Sequence, residues 1–268
     1  MNVNDFLSQH AVFTVDELDG FLARRGTTNQ NTRKALLNYH RKRGRIVHIR
    51  RGLYASVPPG SDPSLSRVDP YLVASKMTED AVLAYHTALE FHGKAYSIFT
   101  RLSCASKYKS LPVRLGPYEI KCVPVPQPLV RKGKTMYGVD TFHRSGVDVK
   151  VTSFERTLVD VLDRPDLSGS WEEIWRSLEM IEFFDLDQVI EYTFLLENRT
   201  TAAKVGFFLE QHKESLLLDD TDLEPLGKLR PKQPHYLERA KRKDCQWIKR
   251  WNLMIPVEVQ NALWGEVL

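Results

Sequence analysis

The chain has 268 residues, of which 42% are hydrophobic and 27% charged, with a net charge of +4, the balance of an ordinary globular protein long enough for two domains. No stretch approaches the roughly 18 to 20 apolar residues of a membrane-spanning helix, and Met1–Asp5 lacks the basic start and apolar run of a signal peptide. Cys104, Cys122 and Cys245 are odd in number and widely spaced, which speaks against a disulfide framework and leads us to expect a cytoplasmic protein.

In chain order, a short helix is expected over Asn4–Gln9, with Phe6 and Leu7 turned inward. Thr14-Val15-Asp16-Glu17 has the spacing of a capping box, in which hydroxyl and carboxylate each satisfy the other's backbone amide. It opens a helix from Val15 to about Arg25 that buries Leu18, Phe21 and Leu22, and Gly26 stops it. The polar turn Thr27-Thr28-Asn29 caps a third helix, from Gln30 to about Arg43, which Gly44 ends. Two helices joined by a short glycine-containing turn form a helix-turn-helix signature. On a helical wheel Thr32, Leu36, Tyr39 and the stem of Arg43 share one face, and Gln30, Asn31, Lys34, Asn38 and Arg41 share the other; Leu37 fits neither cleanly. Amides and cations on one face match the donor and acceptor pattern of base edges.

After Gly44 the period becomes extended. Arg45–Ile49 and Leu53–Val57 flank Arg50-Arg51-Gly52, which reads as a hairpin, or wing, with arginines near its tip for phosphate or the minor groove. Between Arg24 and Tyr54 there are ten Lys or Arg and no Asp or Glu, which leaves −6 for the remainder of the chain. Such asymmetry is the electrostatic footprint of a polyanion-binding module; the plainer reading is a solvated basic face.

The candidate DNA-binding residues are therefore Thr28, Asn29, Gln30, Asn31, Arg33, Lys34, Asn38, Arg41, Arg43, Arg50 and Arg51. Gln30, Asn31, Lys34 and Asn38 are expected toward bases, and the arginines toward backbone or minor groove. Residues 1–58 are expected to form this winged helix-turn-helix domain, with Pro58–Pro63 marking the domain boundary and residues 59–68 a linker.

Residues 69–268 are expected to form a larger α+β domain. Helices are predicted over Asp69–Met77 and Ala81–Phe91, and short strands over Ser97–Cys104, Tyr118–Val123, Gly138–Phe142 and Val147–Val151. Pro124-x-Pro126-x-Pro128 reads as an irregular loop. Thr152–Glu155 and Ser170–Glu173 have capping-box spacing, Asp185 starts another helix, and a fourth runs from Thr201 to His212. Residues 228–250 form a second basic stretch beside Trp247 and Trp251. Lys241, Arg242, Lys243, Lys249 and Arg250 are its candidate nucleic-acid contacts, although tryptophans four apart more often mark a packed core.

Chemistry is sparse. There is no glycine-rich phosphate loop and no nucleophile elbow. His86 and His92 lie on different sides of a helix, and with Cys104 and Cys122 they lack zinc-ligand spacing. Asp185-x-Asp187 reads as a helix cap before it reads as a metal pair, and Asp219, Asp220, Asp222 and Glu224 as a solvated turn. No catalytic residue, metal or cofactor is assigned.

The run from Thr14 through Arg50-Arg51-Gly52-Leu53-Tyr54 resembles the N-terminal winged helix of the AbiEi-type antitoxins of type IV toxin–antitoxin systems. Tyr85–Gly93 resembles that family's Ala-Leu…His-Gly helix, and Val151–Asp160 its Thr-Ser-x-Glu-Arg-Thr segment. Pro234–Glu238 and Trp251–Pro256 are similar to its C-terminal pieces. The resemblance implies a repressor that binds inverted repeats in its own promoter, and a second domain that counters a nucleotidyltransferase toxin without necessarily binding it. The alternatives are a stand-alone winged-helix regulator whose second domain senses a ligand or forms dimers, and a DNA-processing nuclease.

Overall fold

The computed structural model describes residues 2–58, 60, 68–238, 243–262 and 264. The fold is α+β, with three sheets among the described residues. Most of the expected linker, together with Lys241 and Arg242, lies outside the described residues.

The N-terminal elements are α1 (Val3–Gln9), β1 (Val12–Thr14), α2 (Val15–Ala23), α3 (Gln30–Lys42), β2 (Ile46–Arg50) and β3 (Leu53–Ser56). Local chemistry sets their starts. Asn2 and Asp5 form one capping box and Thr14 and Glu17 another, while the Asn29 side chain accepts from the Asn31 amide at 2.8 Å. Gly26 takes a left-handed φ of 76°, which lets the chain turn off α2 without a Cβ clash. β3 lies between β1 and β2, antiparallel to both. Phe6, Leu7, Phe13, Leu18, Phe21, Leu22 and Ile46 form the core beneath these elements, and Leu36, Leu37 and Tyr54 pack against it. Burying each such large apolar side chain contributes about 1.5–3 kcal/mol, so this core holds the inner sides of α1, α2 and α3.

The chain continues through α4 (Pro70–Ser75), β4 (Val82–Leu83), α5 (His86–Phe91), β5 (Arg101–Ser106), β6 (Val113–Leu115), β7 (Tyr118–Pro124), α6 (Gln127–Arg131), β8 (Val139–Arg144) and β9 (Val147–Thr152). It ends with α7 (Phe154–Asp163), α8 (Trp171–Glu179), α9 (Leu186–Leu196), α10 (Arg199–Gln211), α11 (Glu224–Leu229), β10 (His235–Tyr236), β11 (Cys245–Ile248), β12 (Leu253–Pro256) and α12 (Val257–Gln260). None of the described helices is long and apolar enough to cross a membrane.

Contacts gather the chain into two compact units. The first comprises Met1–Leu83, Phe99–Pro124 and Asp140–Val151, so that the six N-terminal elements and most of a mixed six-stranded sheet share one unit. That sheet has the order β6-β7-β5-β4-β9-β8. β5 pairs in parallel with β7, placing Cys104 opposite Cys122.

The second unit comprises Ala84–Ile98, Val125–Val139 and Thr152–Leu268. It is mainly helical, with Leu158, Leu162, Trp175, Tyr192, Phe208 and Trp251 buried and a small sheet of order β10-β12-β11.

Several expected elements are corrected. The helix expected over Ala81–Phe91 is instead β4 followed by the shorter α5. Leu83 is held in extended form by pairing with Cys104 and Val151, and Tyr85 interrupts the chain with a φ of 60°. The triple-proline loop contains the one-turn helix α6, because Pro128 falls in the first turn, where a missing N–H is harmless. α7 is capped by Ser153 rather than by Thr152, whose hydroxyl instead meets that of Thr157 at 2.7 Å. β6 has no counterpart in the sequence reading.

Candidate nucleic-acid interface

α3 is amphipathic, but its phase differs from the expected one. Arg33, Leu36, Leu37 and His40, at i, i+3, i+4 and i+7, form the inward edge. Because both leucines pack on the core, the buried face runs between them, and this rotates Thr32 and Tyr39 outward; Tyr39 is 49% exposed. The expected grouping of Thr32 and Tyr39 on one face with Leu36 is therefore corrected. Burial, helped by the neighbouring charges of Arg45 and Arg43, holds the His40 imidazole below its ordinary pKa.

The outward face carries Asn31, Lys34, Ala35, Asn38 and Lys42, flanked by Gln30 and Arg41, and all of these are exposed. Thr28 and Asn29 are exposed in the turn before the helix. Arg43 is also exposed, and its guanidinium stacks 4.7 Å from the Tyr39 ring centroid. Arg33 departs from the expected set: it is half-buried and ion-paired with Asp19 of α2. Lys42, Ala35 and Tyr39 join the surface although sequence reasoning did not select them. The signal that could have found them was the adjacent pair Leu36-Leu37, which fixes the helix phase once both are taken as buried.

The β2–β3 hairpin turns at Arg51-Gly52, where Gly52 has a φ of 80°. The Gly52 carbonyl accepts from the Val15 amide at 2.9 Å, tying the tip to the start of α2. The two arginines of the tip diverge. Arg51 is exposed, whereas Arg50 turns inward and donates to the Met77 carbonyl and, at 2.5 Å, to the Ser110 hydroxyl. Glu17, which completes the Thr14 cap, is also ion-paired with Lys76.

Of the ten basic residues between Arg24 and Tyr54, Arg33 alone has a carboxylate partner among the described residues. Arg24, Arg25, Lys34, Arg41, Lys42, Arg43 and Arg51 are all exposed. Like charges displayed together sum to a positive potential over the surface that carries them.

The C-terminal basic stretch is built differently. Lys243 and Lys249 are exposed, but Arg250 is ion-paired with Glu210 and Asp220, each at 2.8 Å. Trp251 is wholly buried, packs on Gly206 of α10 and donates its indole N–H to Glu210 at 2.5 Å. Trp247 is half exposed, with its N–H on the Asn252 side chain at 3.2 Å.

Two of the segments of the second unit that carry the sequence resemblance, within Tyr85–Gly93 and Val151–Asp160, are largely internal. Arg156 is 1% exposed and donates to the carbonyls of Thr135 and Tyr137 at 2.9 and 2.8 Å, with Asp160 beside it at 3.3 Å. The Tyr192 hydroxyl donates to Asp160 at 2.6 Å. His86 lies between Glu90 and Glu173 at 2.9 Å from each, and His92 bonds the Thr152 carbonyl at 2.8 Å. These side chains brace backbone segments rather than line a surface. Asp185 caps α9 through the Gln188 amide at 3.2 Å. Among the described residues no group of three or more His, Cys, Asp or Glu side chains is placed to hold a metal ion.

No protein-family model and no curated protein matches the chain. Among solved structures it is similar to the RV2827C protein from Mycobacterium tuberculosis, at 18% identity and a TM-score of 0.62, over 98% of this chain and 94% of that one. A likeness at that identity is one of fold.

Proposed function

We propose that residues 1–58 act as a winged helix-turn-helix that binds duplex DNA sequence-specifically, and that the protein is a transcriptional repressor serving as the antitoxin of a type IV toxin–antitoxin system. One observation carries the DNA-binding part: the outward face of α3 displays Asn31, Lys34, Asn38 and Lys42 together, with no carboxylate on that helix. An exposed helix of about 10–12 Å diameter fits the B-DNA major groove. Asn pairs with adenine and Lys34 with guanine, while Arg41, Lys42, Arg43 and Arg51 supply phosphate contacts. The order helix, strand, two helices and a basic hairpin, with β3 central in the sheet, supports the winged reading.

The antitoxin part is supported by the resemblance of Arg51-Gly52-Leu53-Tyr54, Tyr85–Gly93 and Val151–Asp160 to AbiEi-type antitoxins. It assigns no catalytic residue, and the partner it implies is a nucleotidyltransferase toxin encoded beside this chain.

Two experiments test the two parts separately. Hydroxyl-radical footprinting on the DNA upstream of the gene should show two protected half-sites about one helical turn apart, or a multiple of it. Co-expression with the neighbouring gene should restore growth; a neighbour that is neither toxic nor a nucleotidyltransferase refutes the antitoxin part and leaves the DNA-binding part standing.

A further inference from the structure

We propose that Cys104 and Cys122 form a reversible dithiol–disulfide site that is oxidised by a hydroperoxide. The two residues are register partners on the neighbouring parallel strands β5 and β7, and their Sγ atoms lie 2.9 Å apart. Neighbouring strands run about 4.7–4.9 Å apart, and the Cα separations compatible with a disulfide are about 4.4–6.8 Å. Both side chains project from the same face of the sheet, as register partners must, so the bond can close without a strand slipping.

The surroundings divide the roles. Cys104 is fully buried, whereas Cys122 is half-buried and within reach of a small oxidant. The hydrogen bond between the thiols, together with burial, pushes Cys104 up. The Cys122 thiol is held below its usual value, first by the Cys104 hydrogen bond and then by the charge of Arg50 and the Thr78 hydroxyl, against a burial effect that raises it. The thiolate is the nucleophilic form, and a nearby positive charge favours it. Cys122 therefore attacks and Cys104 resolves.

In the first step the Cys122 thiolate attacks the peroxide O–O bond. It becomes a sulfenic acid, and an alkoxide or hydroxide departs and takes up a proton. In the second, Cys104 sulfur attacks the sulfenic sulfur and expels water as the S–S bond forms. Two thiols and one hydroperoxide give one disulfide, one alcohol (or water) and one water. The thiols lose two electrons, and the peroxide gains them.

Cys245 is the internal reference. Burial and the adjacent Asp244 carboxylate raise its thiol. The full reduced chain is treated with one equivalent of hydrogen peroxide, alkylated under denaturing conditions, digested and weighed. The expected result is a fall from three titratable thiols to one, a peptide cross-linked through Cys104 and Cys122, an alkylated Cys245, and full recovery with dithiothreitol. In the Cys104→Ser variant, dimedone should trap Cys122 as its sulfenic acid. Retention of all three thiols, or oxidation of Cys245 ahead of Cys122, overturns the proposal. So does a Cys122 that goes to sulfinic acid in the wild-type chain without cross-linking.

Discussion

Arg33 of α3 is ion-paired with Asp19 of α2, so the one cation of the basic window that has a carboxylate partner among the described residues braces the two helices against each other. This separates Arg33 from the exposed Lys42 on the same helix. Lys42→Ala should lower the salt dependence of DNA binding by about 0.9 in log–log slope, the value of one phosphate contact. Arg33→Ala should leave that slope unchanged and lower stability by no more than about 1 kcal/mol, as expected for a partly exposed pair. Fluorescence anisotropy at several salt concentrations, with urea denaturation of both variants, distinguishes the two roles.

A second expectation concerns pH. Burial raises the Glu17 carboxyl, but the Lys76 ammonium and the Thr14 amide and hydroxyl outweigh it and hold the group below its ordinary value. Asp80 is likewise lowered, because the Ser106 and Thr78 hydroxyls and the Lys107 amide overcome its burial. A carboxyl depressed on folding binds protons more readily in the unfolded chain. Its stabilisation is thus full above the ordinary carboxylate range and is lost as pH falls through the folded value. Urea midpoints should fall as pH drops below about 4.5, and Glu17→Gln should flatten part of that dependence. An unchanged profile in Glu17→Gln would remove the Lys76 pair from the account.

The Arg156 network should dominate the stability of the second unit. Arg156→Ala leaves Asp160 buried and the Thr135 and Tyr137 carbonyls unpartnered, at a cost of about 3–5 kcal/mol. A loss below about 1 kcal/mol in denaturant titration would show that the guanidinium is not the brace described.

Gly206 is the point on α10 where the Trp251 ring packs against the helix backbone. Gly206→Ala should destabilise by about 1–3 kcal/mol through overpacking. Combining it with a smaller ring, Trp251→Phe, should recover part of that loss. Strict additivity in this double-mutant cycle would contradict the contact.

The sequence made the N-terminal elements legible because their signals are local: the Thr14–Glu17 capping box, Gly26, Asn29 and Gly52 each fix a boundary by their own chemistry. The phase of α3 was less legible, because Leu36 and Leu37 are adjacent and only packing shows that both are inside. The roles of Arg50 and Arg33 were hidden for a related reason. Their partners Met77, Ser110 and Asp19 are distant in sequence or on another helix. β4 could not be read from its own residues, since two residues become a strand only when β5 and β9 arrive on either side. The Trp251 burial was foreshadowed by its spacing from Trp247, but spacing did not tell which of the two would be inside.

Whether α3 reads a duplex is decided by a competition between two DNAs. The protein is titrated with the duplex from upstream of its own gene and with a shuffled duplex of equal length and composition, at one fixed physiological salt concentration. A protein that reads the duplex through α3 should prefer the native sequence by on the order of 10³-fold or more, a preference that Asn38→Ala reduces by about 1–3 kcal/mol. Equal affinity for the two duplexes, unmoved by Asn38→Ala, would contradict it.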